Sequence, residues 1–318
     1  TAMNISIVFG IQRKLIPAID KITKILYKKE KQFSKIAKIG RTHLQDAVPL
    51  TLGQEFSAFK EQIINSKKRI QHSINELYFL AQGATAVGTG LNSSKSFVKG
   101  FIKAIQSLTK IPFKPAKNKF EAIASHDSII NISGSINTLV TTCYKMSNDI
   151  RMLSSGPRSG IGEIILPSNE PGSSIMPGKI NPTQCESMCQ VCIYLMGCHF
   201  SLTIAGSQGQ YQLNANKTLI IHNILKIINL LSDSIVSFSD KCLIDITANK
   251  KKIGENLNNS LMLITALNPK IGYDKSALIA KKAFDEDITL KESAKKLGFV
   301  KEEEFDKLIN PIKMTKNN

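Results

Sequence analysis

The sequence has no tryptophan and only 25 acidic residues against 42 basic ones, a formal net charge of +17. Without tryptophan, and without aromatic residues interleaved among the basic ones, it lacks the stacking platforms that hold single-stranded nucleic acid. Tight basic clusters include Lys28-Lys29, Lys67-Lys68-Arg69 and Lys250-Lys251-Lys252. The remaining cations read as solvated helix faces, so no nucleic-acid partner is expected. Excess positive charge also suits an anionic metabolite steered into a cationic cleft. No unbroken apolar run approaches the ~20 residues that span a bilayer, so no membrane partner is expected. Thr1 to Phe9 carries neither a basic segment nor a cleavage site. There is no internal repeat. Gly83-x4-Gly88 is followed by Thr89-Gly90 instead of the Lys-Ser/Thr that grips phosphates, which argues against a P-loop.

The six cysteines are Cys143, Cys185, Cys189, Cys192, Cys198 and Cys242. In a long helical chain they read as reduced intracellular thiols, not as a disulfide framework. Cys185-x3-Cys189-x2-Cys192 has the spacing of an iron-sulfur site, but such a cluster needs a loop that converges three thiolates. Thr183 through Met196 contains no glycine or proline and reads as continuous helix. Positions i, i+4 and i+7 then form one apolar stripe, so no metal is expected there.

What the chain has in abundance is helical periodicity. Leu52, Phe56, Phe59, Ile63, Ile70, Ile74, Leu77 and Ala81 step by three, four or seven, the seam of a long packed helix. Ile16, Ile19, Ile22, Leu26, Phe33 and Ala37 form a similar stripe, with Pro17 at its start or at a kink. Further helical stretches are expected over Glu121 to Leu153, Thr183 to Ser207 and Leu219 to Thr247. A helix of ~30 residues is ~45 Å long, so several side by side imply an extended bundle that calls for oligomerisation. The expected fold is all-α: a long-helix bundle over residues 1–250, with a small helical domain over 251–318. Within the latter, helices are expected at Ser260 to Leu267, Tyr273 to Phe284, Leu290 to Leu297 and Glu302 to Leu308.

Three connectors stand out: Gly40 to Gly53, Gly83 to Lys95 and Ser154 to Pro182, each expected as loop. Long loops in a helical chain are usually functional or disordered. In the third, Ser173, Ser174, Lys179 and Asn181 sit between glycines. Two readings fit: a solvated flexible segment, or a hinged loop in which Lys179 and Asn181 bind a carboxylate and Ser173 is an activated hydroxyl. Glu186 falls in the first turns of the next helix, where a helix N-terminus alone accounts for an acid. Thr42-His43 lies in the first connector. His72, His126, His199 and His222 are read as structural residues on helical segments.

GSSIMPGKINPTQCE, residues 172–186, resembles the signature of the fumarase/aspartase superfamily, and of class II fumarase in particular. GRTHLQDAVP, starting at Gly40, resembles a second region of that family. Its Thr42-His43 is the fumarase form, where aspartate ammonia-lyases carry Thr-Gln. AQGATAVGTGLN, NKFEAIASHD, NDIRMLSSGPR and SLMLITALNPKIGYDKSALIAKKA are similar to fumarase as well, in order along the whole chain. Gln212, Thr218 and Ser159 depart from the family's usual Glu, Pro and Cys. Thr1-Ala2-Met3-Asn4 resembles the tail of a Ser-Ser-Asn-Asp-x-x-Pro-Thr-Ala-Met motif. The resemblance therefore implies that a further domain, with two substrate-binding Ser/Thr/Asn segments, precedes Thr1.

The resemblance implies reversible anti addition of water to fumarate, giving (S)-malate, the hydration step of the tricarboxylic acid cycle. No metal and no organic cofactor are implied. It makes Ser173 the base at carbon, and His43 with Glu186 the pair that handles the water. Thr42, Ser174, Lys179, Ile180 and Asn181 become the substrate-binding set. It further implies a homotetramer that shares its active sites between subunits, in the cytoplasm, or in the mitochondrion of a eukaryote. The alternatives are an aspartate ammonia-lyase-like enzyme and a non-catalytic truncated helical remnant.

Overall fold

The computed structural model describes residues 1–170 and 172–316. The fold is all-helical, and among the described residues the named strands form short two-stranded ribbons. The chain divides into two compact units, each assembled from three stretches of sequence.

The first unit comprises Thr1–Ile25, Phe59–Arg151 and Asn169–Ile244. It opens with α1 (Ala2–Gly10), one π-helical stretch over Ile11–Leu15, and α2 (Ile16–Gln32) as far as Ile25. The wide turn sits just ahead of Pro17, whose ring would crowd the carbonyl of the preceding turn in a regular α-helix. Ile19, Ile22, Leu26 and Phe33 are buried as the stripe predicts. Ala37, taken as the end of that stripe, starts a strand instead.

The seam from Leu52 is buried through Leu77, but the continuous helix ends early. α3 spans Leu52–Ser73 and tightens into a 3-10 turn over Ile74–Tyr78. There the Asn75 amide donates to the Gln71 and His72 carbonyls at 3.3 and 3.0 Å, competing with the helical ladder. α4 (Lys95–Thr109) was not anticipated. Ser94 caps it by accepting from the Phe97 N–H. The stretch expected as one helix from Glu121 is two, α5 (Lys119–Ala124) and α6 (Asp127–Leu153). Ser125 between them is extended, and its hydroxyl bonds the Glu121 carboxylate at 2.9 Å. His126 therefore precedes α6 and is not within a helix.

α7 (Thr183–Ser207) keeps its predicted bounds and packs along α8 (Lys217–Lys241). Cys185, Cys189 and Cys192 lie buried on one face of α7, and Cys185 Sγ is 3.9 Å from Cys242 Sγ. By length and composition alone, Thr183–Ser207 and Lys217–Asp245 reach what a membrane span requires. Neither is an unbroken apolar run, because Gln, Ser and His interrupt α7 and His, Asn and Ser interrupt α8 while the average hydropathy stays high. Each directs part of that apolar surface into the bundle, through Met188 and Leu195 on α7 and Ile224, Ile228 and Leu231 on α8.

The second unit comprises Leu26–Ala58, Met152–Ser168 and the chain from Asp245 onward. Its carboxy-terminal helices are α9 (Lys250–Asn259), α10 (Asn268–Ile271), α11 (Tyr273–Asp285), α12 (Leu290–Leu297), α13 (Glu302–Leu308) and α14 (Pro311–Met314). Leu261–Leu267 is a 3-10 segment. A Thr289–Glu292 capping box opens α12, and Gly298 closes it at φ 68°. Leu263, Leu267, Ile279, Ala283 and Phe305 form a core that includes Ile39. Ile39 belongs to β1 (Ala37–Thr42), which pairs antiparallel with β2 (Gln45–Thr51). The connector from Gly40, expected as loop, is thus a β-hairpin.

Candidate active site

His43 and Leu44 form the two-residue turn of the hairpin, with φ of 55° and 63°. Two positive φ values at the centre define a type I′ turn, whose twist matches the flanking strands. Asn-Gly or Asp-Gly is the usual sequence signal, so His-Leu hid the hairpin. Thr42 and His43 are both exposed at its tip.

The base of the hairpin is built differently. Glu163, fully buried, accepts from Arg41 Nη1 at 3.1 Å and Nη2 at 2.8 Å and pairs with Lys38 Nζ at 3.0 Å. Asn256 Nδ2 donates to it at 3.2 Å. Lys38 also meets Glu55 at 3.2 Å. Burial pushes the Glu163 carboxyl up, but the Arg41 hydrogen bonds and the charges of Lys38 and Arg41 outweigh it and hold the group below its ordinary value. Burial likewise works against the Arg41 charge, and Glu163 overcomes it, so Arg41 is held above its ordinary value. Lys38, Arg41 and Glu163 escaped the sequence reading. Its usable signal was an acid amid the glycine-rich and apolar stretch Gly160 to Leu166.

Ser173, Ser174, Lys179, Ile180, Asn181 and Glu186 belong to the first unit. Ser173 Oγ is half-buried and accepts two backbone N–H groups, from Ile175 at 3.3 Å and Met176 at 3.2 Å. The Asn181 amide donates to the Gly172 carbonyl at 3.0 Å and closes the loop on itself. A Cβ on Gly172 would fall on the Lys179 carbonyl, so this closure requires glycine. Gly178, at φ 79°, makes the reverse turn. The side chains of Ser174, Lys179 and Ile180 are exposed. Glu186 stands in the first turn of α7. The structure thus brings Ser173, Asn181 and the Lys179 backbone together, with Glu186 close in sequence. Thr42 and His43 belong to the other unit.

A separate cavity of about 740 Å³ lies within the first unit, lined among others by Asn4, Lys117, Asn118, His126 and Lys217. His126 Nε2 is buried without a hydrogen-bond partner. Burial, then the charge of Lys217, push the imidazole pKa down to about 4. No group of three His, Cys, Asp or Glu side chains is arranged to hold a metal among the described residues.

A glycine-closed loop that loads a serine oxygen with N–H donors, at the head of a long helix in an all-α bundle, defines a class. The chain belongs to the Lyase family, which matches residues 1–197; the family described as Fumarase C C-terminus matches residues 263–316. Curated relatives in that family bear the names fumarate hydratase class II and fumarate hydratase, mitochondrial. The enzyme named Fumarate hydratase class II 2 from Bradyrhizobium diazoefficiens is 52% identical over 99% of this chain and 67% of its own length. The class II enzyme of Rickettsia bellii is 52% identical over 100% of this chain and 69% of its own. The crystal structure of Schistosoma mansoni class II fumarase superposes with a TM-score of 0.96 at 44% identity, over 99% of this chain and 69% of that one. The chain spans about two thirds of the length of the curated relatives it matches.

Proposed function

We propose that this chain carries catalytic apparatus of a fumarate hydratase, which interconverts fumarate and (S)-malate. From the malate side, the Ser173 oxygen takes the proton from the carbon next to one carboxylate. The electron pair left behind spreads into that carboxylate as an aci-carboxylate, held by Lys179 and Asn181. The pair then forms the double bond as hydroxide leaves the neighbouring carbon. His43, backed by Glu186, supplies the proton that makes it water. Thr42, Ser174 and Ile180 contact the substrate.

The single observation that carries this is the pair of N–H donors on Ser173 Oγ. A free serine hydroxyl is too weak an acid to work as a base. Donors aimed at its oxygen stabilise the charged form, and they cost no reorganisation at the moment of reaction. The net charge of +17 adds a favourable field for a dianionic substrate.

The active assembly in this proposal is a homotetramer. Ile193, Tyr194, Phe200 and Ile204 on α7 are exposed apolar residues suited to packing against further copies. Its compartment would be the cytoplasm of a bacterium or the mitochondrion of a eukaryote.

Fumarate loss, followed in the ultraviolet after exhaustive chelation, tests the reaction. It is measured on this chain and on the chain fused behind the N-terminal third of a class II fumarate hydratase. Turnover is expected in the fused form. No turnover there, or release of ammonia from aspartate instead, overturns the assignment.

A further inference from the structure

Lys38 and Arg41 are three residues apart in β1, so in an unbroken strand their side chains would point to opposite faces. Both nevertheless reach the one carboxylate of Glu163, at 3.0 Å and 2.8 Å. The register shifts between Ile39↔Pro49 and Arg41↔Asp46, so Gly40 of β1 faces two residues, Ala47 and Val48, of β2, and the ladder is irregular between the two cations. Gly40 is needed for it, since a Cβ there would lie 2.8 Å from the Val48 carbonyl oxygen.

Glu163 is tied down at every atom that can hold it. Its N–H donates to the Leu153 carbonyl at 2.8 Å, and its carbonyl accepts from the Asn249 N–H at 2.9 Å. Asn256, on α9, bonds its carboxylate. A rigid acid therefore grips the guanidinium of Arg41 through two parallel bonds. That fork fixes direction as well as distance. The next residues along the chain are Thr42 and His43. The His43-Leu44 turn sits in the left-handed region, which persists for non-glycine residues only where the surroundings over-determine it.

We propose that Glu163 is the positioning residue for His43: its two-pronged grip on Arg41 aims the hairpin tip and so places the imidazole that handles the water. This rests on the assignment of His43 as the acid–base group. Glu163 acts through Arg41 and touches no substrate.

Two variants test it, in the chain and in the fused protein. Arg41→Lys keeps the positive charge beside Glu163 but loses the planar fork. Glu163→Gln keeps the shape and loses the charge. Peptide-resolved hydrogen exchange on the chain reads the geometry. In Arg41→Lys, the expected result is exchange faster by about tenfold or more in the 37–51 peptide alone, with α7 and α8 unchanged, as expected of local opening. In the fused protein, kcat is expected to fall by about tenfold or more, while KM moves less than about threefold, the signature of an interaction realised in the transition state. Glu163→Gln should show the same pattern more strongly. If it fails to fold, Arg41→Lys decides alone. Wild-type exchange in the 37–51 peptide of Arg41→Lys, or faster exchange spread evenly over the molecule, overturns the proposal. So does unchanged kcat in an active fused Arg41→Lys. A fused wild type without fumarate turnover sinks the functional assignment instead, and the exchange result still decides whether Glu163 holds the hairpin.

Discussion

The hairpin at residues 37–51 and the loop at residues 172–182 each present candidate catalytic groups, yet they are stiffened by opposite means. The hairpin exposes Thr42 and His43 on a tip whose base is a buried ion cluster of Lys38, Arg41 and Glu163. Among the described residues the loop has no such base. It closes through its own backbone, with Asn181 bonded to Gly172 and two N–H groups bonded to Ser173. An imidazole that moves protons to and from water needs a fixed direction, which a rigid arm provides. A serine that works as a base needs a field around one oxygen, which converging N–H groups provide. The first design concentrates its cost in folding stability. The second concentrates it in the geometry of a single turn.

The largest expected effect is on the cluster. Glu163→Gln removes the buried carboxylate charge that Lys38 and Arg41 share, and removing one partner of a buried ion pair typically costs about 3–5 kcal/mol. Denaturant unfolding of the isolated chain should show a loss of that order. The corresponding change in the loop, Asn181→Ala, should cost less than about 1.5 kcal/mol, the scale of one half-buried hydrogen bond. Equal losses would erase the distinction between the two regions.

Activity should reverse part of that ranking. Ser173→Ala and His43→Asn are each expected to lower kcat by about 100-fold or more, the usual scale for a general acid or base. Inhibition by a dicarboxylate should survive Ser173→Ala better than Lys179→Ala, because the lysine meets charge already present in the ground state. Near-wild-type kcat in Ser173→Ala would remove the serine from the reaction.

Gly172→Ala sharpens the comparison further. The added Cβ would collide with the Lys179 carbonyl, so the loop must open and release Ser173 from its arrangement. We expect a fall in kcat of about tenfold or more, because misplacing a reacting group by an ångström can cost 100-fold. The melting temperature should change little. A marked drop in melting temperature would mean that the loop, like the hairpin, supports the fold.

A further contrast is read by acid titration. His126 has a folded pKa of about 4, below its unfolded value of 6.5. Between these values the unfolded chain binds a proton that the native one refuses, so stability falls as pH drops through the window, by up to about 1.4 kcal/mol per unit. Glu163 acts lower. Its folded pKa is depressed from 4.5, so its contribution is present above that value and is lost as pH falls through the folded one. His126→Gln should flatten the upper part of the stability curve and Glu163→Gln the lower part. Identical curves for both variants would contradict these assignments.

Much of the helical frame was legible in the sequence because one face of each helix is buried. α7, α12 and α13 keep the predicted bounds, and α11 differs by a residue at its end. What escaped detection depends on contacts distant in sequence or on a single side chain. The hairpin lacks a glycine turn signal. α3 stops where Asn75 bonds back to two carbonyls. The cluster around Glu163 joins residues more than 120 positions apart. Of the candidate site, the glycine loop was readable because its composition sets its geometry: glycines at the close approach and the reverse turn, and a serine between the donors. The support beneath Thr42-His43 was not, because an acid among apolar residues does not announce its partner.

The thiols have a practical consequence. All six cysteines are buried, and all belong to the first unit. Burial raises the Cys143 and Cys189 thiols and pushes Cys192 up to about 12, while Cys185 is raised first by its contact with Cys242 and then by burial. An alkylating reagent needs a thiolate it can reach, and burial denies it access to all six. Labelling at neutral pH therefore waits for the helices to separate. Its rate is a clock for the opening of that unit, silent about the hairpin and needing no introduced probe.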